Sequence, residues 1–217
     1  MTHIGFIGSG LIGSQLARRA LANGHSVTMS NSRGPETLAE LITELGENAT
    51  AGTVRDAATN GDIVVVTVPM AAIETIPADL LAGKIVIDTN NYYFERDGHI
   101  AALDAAETTV SQILQDHLPE SYVVKAFNNI KFSDITEDAA PTGTPDRRAL
   151  PIAGDFAEAN TTVADLIDGF GFDVIDSGSL ADSWRYERDM PAYGVRATHD
   201  ELRDQLAAAE RTTTPAA

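Results

Sequence analysis

Apolar and polar positions follow two different periods along the chain, and the two alternate from its beginning. Short apolar runs rich in β-branched residues, such as Ile63–Val68, are typical of strands that are covered on both faces. The longer segments between them carry apolar residues at helical spacing. Because strands that alternate with helices form parallel sheets with crossover helices, the pattern predicts an α/β fold of the Rossmann type, with a doubly wound, mostly parallel sheet.

The predicted strands are short and apolar, and the predicted helices are longer and amphipathic. The strands are His3–Gly8, Ser26–Asn31, Ala49–Ala51, Ile63–Val68, Lys84–Asp88, Tyr122–Phe127, Ala149–Ala153 and Phe172–Ile175. The helices are Leu11–Asn23, Pro35–Leu45, Val54–Thr59, Ala71–Leu81, Thr108–His117, Glu158–Gly169 and His199–Glu210. Segment Thr136–Asp146 is rich in Pro, Gly, Thr and Asp, which predicts a loop.

The pattern changes after the last predicted strand. We therefore expect a nucleotide-binding Rossmann-type domain over residues 1–178 and a C-terminal extension over residues 179–217. The extension is expected to be partly helical, with a frayed end at Thr212–Ala217.

Composition excludes several kinds of partner. The 32 acidic and 15 basic residues give a formal net charge of −17, which opposes nonspecific binding to nucleic acid or to anionic membranes. The longest nearly apolar run, Ile63–Ile73, is much shorter than the roughly 20 residues of a membrane-spanning helix. The chain has no Cys, and no secretion signal follows Met1, so we expect a cytoplasmic protein. An acidic, lysine-poor surface is also typical of a salt-rich cytoplasm, and composition leaves that open.

A glycine-rich turn directly follows the first strand. Gly8-Ser9-Gly10-Leu11-Ile12-Gly13 has the spacing G-x-G-x-x-G and opens the first helix. In such a turn the first Gly permits a tight bend, the second lets the backbone approach a pyrophosphate, and the third lets the helix pack close to the sheet. The unpaired N–H groups of the helix N-terminus attract the pyrophosphate. We predict that Gly8, Ser9, Gly10, Leu11 and Ile12 bind a dinucleotide.

The end of the second strand distinguishes NADP from NAD. An acidic residue there would bind the ribose hydroxyls of NAD, but this chain has Asn31-Ser32-Arg33 instead. Hydroxyl, amide and guanidinium donors suit a ribose 2′-phosphate, which predicts a preference for NADPH. The alternative is that Asn31 and Ser32 cap the helix beginning near Pro35 and that Arg33 is only solvated.

Further candidates follow from the topology, since ligands of a doubly wound sheet lie across the carboxyl ends of its strands. The predicted cofactor-binding residues at these ends are Thr67, Val68, Pro69, Asn90, Ala126 and Asn128. The predicted substrate-binding residues are Asn91, Tyr92, Tyr93 and Asn129, together with Trp184 from the extension. An aromatic loop packed into the core is an equally good reading of Tyr92–Phe94, and a segment packed on its own domain is an equally good reading of Ser183–Asp189.

The same strand ends resemble those of the deazaflavin-dependent NADP reductase family, whose carrier is coenzyme F420, and more distantly those of the reductase domain of membrane metalloreductases. The segments that carry the resemblance cover most of residues 1–180 and occur in the family's order. They are Gly8–Gly13, Ser32–Arg33, Val68–Pro69, Asp88–Asn90, Val124–Asn128, Ile152–Asp155 and Asp176–Leu180.

The resemblance implies an NADP-dependent oxidoreductase that passes hydride between NADP(H) and a deazaflavin, coenzyme F420, or another flavin, and that forms a homodimer. Direct hydride transfer needs few acid–base groups, so no catalytic residue is assigned. The five His residues show no metal-ligand spacing, and no metal is expected.

One segment departs from the family. Archaeal members carry a His-Thr-Ile-Pro sequence where this chain has Asn128-Asn129-Ile130-Lys131. The acceptor therefore stays open between a deazaflavin and a small imine, carbonyl, flavin or quinone. A sensor that binds NADPH without turnover is the third reading.

Overall fold

A computed structural model describes residues 1–213. The eight strands form one sheet in the order β3-β2-β1-β4-β5-β6-β7-β8. The strands are β1 (His3–Ile7), β2 (Ser26–Ser30), β3 (Ala49–Ala51), β4 (Ile63–Val66), β5 (Ile85–Asp88), β6 (Tyr122–Lys125), β7 (Ala149–Gly154) and β8 (Asp173–Asp176). All neighbouring strands are parallel except β6 and β7. The predicted doubly wound, mostly parallel α/β fold is confirmed.

The described residues also form ten α-helices and three 3₁₀ helices, which lie between the strands or, for α10 and the last 3₁₀ helix, after β8. The α-helices are α1 (Leu11–Ala22), α2 (Ala39–Leu45), α3 (Val54–Asn60), α4 (Ala78–Leu81), α5 (Phe94–Asp97), α6 (Ala101–Asp104), α7 (Val110–His117), α8 (Asp134–Glu137), α9 (Ala157–Phe170) and α10 (His199–Ala207). The 3₁₀ helices are Pro35–Leu38, Met70–Thr75 and Leu180–Tyr186. None of the helices in residues 1–213 is both long enough and apolar enough to cross a membrane.

Both faces of the sheet are buried, which explains the continuous apolar runs. Val65 and Ile87 belong to a core that also contains residues of α1 and α9. Val64 and Val66, which point to the opposite face because side chains alternate along a strand, belong to a core with residues of α3 and α7. Strands covered on both faces by helices can be apolar at every position.

The C-terminal extension packs on the edge of the sheet. Tyr186, Leu202 and Leu206 form a third apolar cluster with Ala149 and Ala153 of β7. Of the predicted frayed end, residues 214–217 lie outside the described part of the chain.

Several element boundaries differ from the prediction for local reasons. The predicted helix Ala71–Leu81 is a 3₁₀ helix, Met70–Thr75, followed by α4, since Pro77 lies between them and has no N–H to continue a helix. The predicted helix Pro35–Leu45 likewise begins as a 3₁₀ helix. The predicted loop Thr136–Asp146 overlaps the end of α8 and is otherwise irregular.

Candidate functional site

The glycine turn lies where the strand order reverses, at the carboxyl ends of β1 and β4. Gly8 has a φ of +112°, and a Cβ there would lie 2.1 Å from the Thr67 carbonyl oxygen. A Cβ on Gly13 would lie 2.4 Å from the Gly8 carbonyl oxygen. A Cβ on Gly10 would meet nothing within 4 Å. The fold itself therefore requires Gly8 and Gly13, whereas the space over Gly10 is open to a ligand.

The N-terminus of α1 has the features of an anion-binding site. Gly10 is its N-cap residue, no side chain caps it, and its first turn contains no acidic residue. The first N–H groups of a helix have no partner within the helix, so those of α1 are available to a bound group. Leu11 beside them is 63% exposed, so its side chain is accessible to a bound group.

In the turn after β2, the three predicted cofactor-binding residues Asn31, Ser32 and Arg33 have different surroundings. The Asn31 Oδ1 atom accepts hydrogen bonds from the N–H groups of Arg33 at 2.9 Å and Gly34 at 3.0 Å, and Asn31 Nδ2 donates to Thr37 Oγ1 at 2.9 Å. The Asn31 side chain thus builds the turn, but it does not cap the helix as the alternative expected, because the N-cap of the 3₁₀ helix Pro35–Leu38 is Gly34 and has no side-chain cap hydrogen bond. The Ser32 and Arg33 side chains are exposed and have no hydrogen-bond or ion-pair partner among residues 1–213.

Asn90 links the ends of β4 and β5. Its Oδ1 atom accepts a hydrogen bond from the Val68 N–H at 2.9 Å, and its own N–H donates to Asp88 Oδ1 at 2.9 Å. Asn90 Nδ2 is buried and has no partner in the described part of the protein. A buried donor without a partner costs about 1–3 kcal/mol, which makes Nδ2 a candidate donor to a ligand. Pro69 follows Val68 and is exposed.

The end of β6 has an unusual backbone. Phe127 is buried and has a φ of +60°, a conformation that bulky residues rarely adopt and that is enriched at functional sites. The following residue, Asn128, donates from Nδ2 to Asn91 Oδ1 at 3.1 Å and to the Tyr186 carbonyl at 2.9 Å. Its Oδ1 atom is buried without a partner in residues 1–213. Ala126 is fully buried, and its N–H donates to the Asp88 carbonyl at 3.0 Å.

Beneath Asn90 lies a set of four polar side chains, which we call the buried polar cluster: Asp88, Ser111, Lys125 and Glu187. Ser111 Oγ donates to Asp88 Oδ2 at 2.5 Å, and Lys125 Nζ lies 3.2 Å from Ser111 Oγ and 3.1 Å from Glu187 Oε1. Burial raises the pKa of the Asp88 carboxyl, and the Lys125 charge and the hydrogen bond from Ser111 oppose that rise. Sequence reasoning assigned no role to Ser111, Lys125 or Glu187. A lysine among the valines of β6 was the available signal.

A cavity of about 340 Å³ lies next to this cluster. Its wall combines aromatic, cationic and acidic side chains, including Tyr92, Phe94, Trp184, Glu187, Arg188 and Arg211. The Tyr92 hydroxyl is held by Asp104 Oδ1 at 2.7 Å, and the Trp184 ring lies beneath the guanidinium groups of Arg185 at 4.6 Å and Arg211 at 5.8 Å. Two of the predicted substrate-binding residues, Tyr92 and Trp184, are thus brought together.

The other substrate-binding candidates lie outside the cavity wall. The Tyr93 hydroxyl is hydrogen-bonded to that of Tyr193, and two guanidinium groups lie over its ring. Asn129 is buried and donates to the Ala192 carbonyl at 3.1 Å. Asn91 donates from Nδ2 to the Asn128 carbonyl at 2.8 Å. These three side chains tie together the ends of β5 and β6 and the C-terminal extension.

Comparison with known proteins identifies the family. A family profile described as "NADP oxidoreductase coenzyme F420-dependent" matches residues 3–92. The solved structure of hypothetical protein SMa0349 from Sinorhizobium meliloti is 30% identical, with a TM-score of 0.80 over 92% of this chain and 97% of that one. The N-terminal part of the chain, residues 3–92, belongs to the coenzyme F420-dependent NADP oxidoreductase family. The resemblance read from the strand ends is confirmed at this level.

Two further relatives show how widely the fold of this NADP oxidoreductase family occurs. Metalloreductase STEAP3 of Rattus norvegicus is 32% identical over 200 residues, which are 88% of this chain and 38% of that protein. A protein from Arthrobacter sp. fb24, provisionally described as an F420-dependent NADP reductase, shares the fold at 24% identity, with a TM-score of 0.72 over 84% of this chain and 87% of that one. The chain spans about two fifths of the length of the curated relatives it matches.

The residues present fit the dinucleotide that the family's description implies. The open space over Gly10, the uncapped N-terminus of α1 and the exposed Leu11 suit a pyrophosphate and its flanking groups. The exposed pair Ser32–Arg33 suits a 2′-phosphate, and the unpartnered amide atoms of Asn90 and Asn128 suit a polar group at the other end of the ligand. Ser9 and Ile12, both half-buried, flank the turn.

Proposed function

We propose that the protein is an NADP(H)-dependent oxidoreductase that transfers hydride between NADP(H) and a flat redox carrier of the deazaflavin type, such as coenzyme F420. The observation that carries the proposal is the combination of a glycine turn open at Gly10 with Arg33, which is exposed and has no side-chain partner among residues 1–213, at the end of the neighbouring strand. The first suits any adenine dinucleotide, and the second suits only one with an extra phosphate.

Asn90 and Asn128 would hold the nicotinamide end. A carboxamide is both a donor and an acceptor. The two neighbouring strand ends offer one donor, Asn90 Nδ2, and one acceptor, Asn128 Oδ1, that have no partner within the described part of the chain. The strained backbone at Phe127 supports this role, since it sets the position of Asn128. When bound, NADPH would supply the hydride from its reduced nicotinamide ring.

The cavity would receive the acceptor. Its volume of about 340 Å³ is at the lower end of ligand pockets, and it is lined by the rings of Tyr92, Phe94 and Trp184. It adjoins the nicotinamide end by a short chain of contacts, because Glu187 in its wall pairs with Lys125 at 3.1 Å and Lys125 contacts the Asn90 carbonyl at 3.2 Å. The charges of Arg188 and Arg211 are balanced in the wall by Glu187 and Asp189, and Arg188 is already paired with Glu95, so the lining favours neither an anionic nor a cationic acceptor.

The chain's own contribution to the chemistry is positioning. Hydride transfer between two rings depends on holding the reacting atoms within roughly 3–3.5 Å and on excluding water, so no acid or base is required at the reacting atoms. Three parts of the chain supply that positioning. They are the cradle, by which we mean the glycine turn Gly8–Gly13 with the exposed pair Ser32–Arg33, the two asparagines Asn90 and Asn128, and the cavity wall.

The test is a panel of acceptors mixed with protein and NADPH while nicotinamide absorbance is followed. Turnover with coenzyme F420, together with deuterium passing from NADPH labelled at C4 into the deazaflavin, supports the proposal. Turnover only with an imine, carbonyl, flavin or quinone contradicts a deazaflavin as the acceptor and identifies the acceptor class instead. Tight NADPH binding without turnover on any acceptor contradicts the enzyme assignment.

A control variant separates the acceptor cavity from the cradle. Trp184→Ala should raise the KM for the acceptor and leave the Kd of NADPH unchanged, because Trp184 lines only the cavity. The predicted homodimer is tested separately by light scattering on the purified protein.

A further inference from the structure

The buried polar cluster converges on one residue of the proposed nicotinamide site. Three atoms of Asn90 are held by separate groups: the N–H by Asp88 Oδ1 at 2.9 Å, the carbonyl by Lys125 Nζ at 3.2 Å, and Oδ1 by the Val68 N–H at 2.9 Å. Only Nδ2 is left without a partner in residues 1–213. The cluster therefore fixes the Asn90 backbone, and the Val68 N–H fixes the orientation of the side-chain amide that carries the one unused donor.

Lys125 occupies the centre of this arrangement. Its side chain is fully buried, and its ammonium group contacts the Asn90 carbonyl, Ser111 Oγ and Glu187 Oε1 at 3.1–3.2 Å. Ser111 and the Asn90 N–H in turn hold the two oxygens of Asp88, at 2.5 and 2.9 Å. All three donors of the ammonium group are used, and one of them ends on Asn90.

A contribution to the stability of the fold is not a sufficient reason for burying the charges of Lys125 and Asp88. Apolar residues of similar volume commonly stabilise a core as well as a buried ion pair does, because desolvation of the charges offsets their attraction. A lysine held as firmly elsewhere shows the contrast: Lys84 Nζ donates to the carbonyls of Ala58, Thr59 and Gly61 at 2.7–2.8 Å and so completes the end of α3. Lys84 thus stabilises the end of a helix, whereas Lys125 contacts Asn90 at the proposed nicotinamide site.

We propose that Lys125 is a positioning residue that, through the Asn90 carbonyl, holds the Asn90 amide in the orientation that binds the nicotinamide end of NADP(H). The proposal rests on the proposed function. Glu187 assists by fixing the Lys125 ammonium group, and its carboxylate also accepts a hydrogen bond from the Val110 N–H at 3.2 Å, at the start of α7.

The test compares two ligands that share the adenosine end and differ at the nicotinamide end. Calorimetry is run with NADPH and with 2′-phospho-ADP-ribose, which lacks nicotinamide, on wild type, Lys125→Met and Lys84→Met. In Lys125→Met the affinity for NADPH should fall about tenfold, the equivalent of one lost hydrogen bond, and the affinity for 2′-phospho-ADP-ribose should stay unchanged. Lys84→Met should show no selective loss. An equal loss for both ligands in Lys125→Met, or no loss, would overturn the proposal.

Two further variants keep the test decisive. Glu187→Gln retains the shape of a partly exposed side chain and should show the same selective loss at smaller size, even where Lys125→Met folds poorly. In an Asn90→Ala background, Lys125→Met should weaken NADPH no further, since the lysine acts through Asn90. If the two substitutions weakened NADPH binding by the sum of their separate effects, Lys125 would not act through Asn90.

The outcomes also separate the proposal from the proposed function. A wild type that binds neither ligand contradicts both. A wild type that prefers NADPH, with the preference unchanged in Lys125→Met and Glu187→Gln, contradicts only the role of Lys125. A wild type that binds the two ligands equally well also overturns the positioning role, because the Asn90 amide would then hold nothing.

Discussion

Arg33 offers the sharpest test of which dinucleotide the cradle accepts. Its guanidinium group is exposed and has no partner among the described residues, so Arg33→Ala should leave the free energy of unfolding unchanged. The turn itself is built by Asn31 Oδ1 and the two backbone N–H groups it accepts from, and these remain. The substitution therefore removes only the cation that would face a 2′-phosphate.

The expected magnitude follows from the charge and the exposure. A hydrogen bond to a charged group contributes about 1.5–3 kcal/mol, and salt screening at an exposed site favours the lower end of that range. A loss of about 1.4 kcal/mol corresponds to a tenfold weaker Kd for NADPH. NADH carries no 2′-phosphate, so its Kd should change little.

Calorimetry with both dinucleotides at about 0.05 M and about 0.5 M salt measures the effect and its screening. Arg203→Ala is the matched control, since it removes one exposed cation from α10, which packs near β7 and β8 at the far edge of the sheet. An equal loss of affinity for NADPH and NADH would refute the 2′-phosphate assignment. Equal losses in Arg33→Ala and Arg203→Ala would show that only the net charge matters.

Three other predictions concern the cradle, one surface ion pair and one buried arginine. Gly10→Ala should leave the melting temperature unchanged and weaken dinucleotide binding, whereas Gly8→Ala should destabilise the fold by about 2 kcal/mol or more, measured by urea unfolding. The hydrogen bonds from Arg188 lower the pKa of Glu95 from 4.5 to about 2. The free energy of unfolding of wild type should therefore exceed that of Glu95→Gln by a constant amount above pH 4.5, and this difference should disappear as the pH falls to about 2. Arg148→Met should destabilise by about 3 kcal/mol, because the fully buried guanidinium pairs with Asp134 and Asp138 at 2.8–3.0 Å; a loss no larger than that of the exposed Arg203→Met would contradict this.

Much of the fold and of the cradle could be predicted because the responsible signals are local. Gly8–Gly13 combines a turn and a helix start within six consecutive residues, and apolar runs such as Ile63–Val68 reflect burial of both faces of a strand. The reversed direction of β7 was not predicted, since apolar periodicity carries no information about strand direction. Asp155 shows a similar limit: it lies just before α9, whose N-cap is Phe156, and accepts a hydrogen bond from the distant Leu180 N–H at 3.0 Å, a contact that only the fold reveals.

The sequence by itself determined where most strands and helices lie, which turn has the glycine spacing typical of pyrophosphate binding and which family the strand ends resemble. Only the tertiary structure decided that Asn31 builds its turn, that Tyr92 and Trp184 line one cavity while Tyr93 and Asn129 lie outside it, and that Lys125 and Glu187 meet beneath Asn90. The physical reason is the range of the interactions. Helix starts and glycine turns depend on a few adjacent residues, whereas the contact between Lys125 and Glu187 joins groups 62 positions apart that only packing of the C-terminal extension brings together.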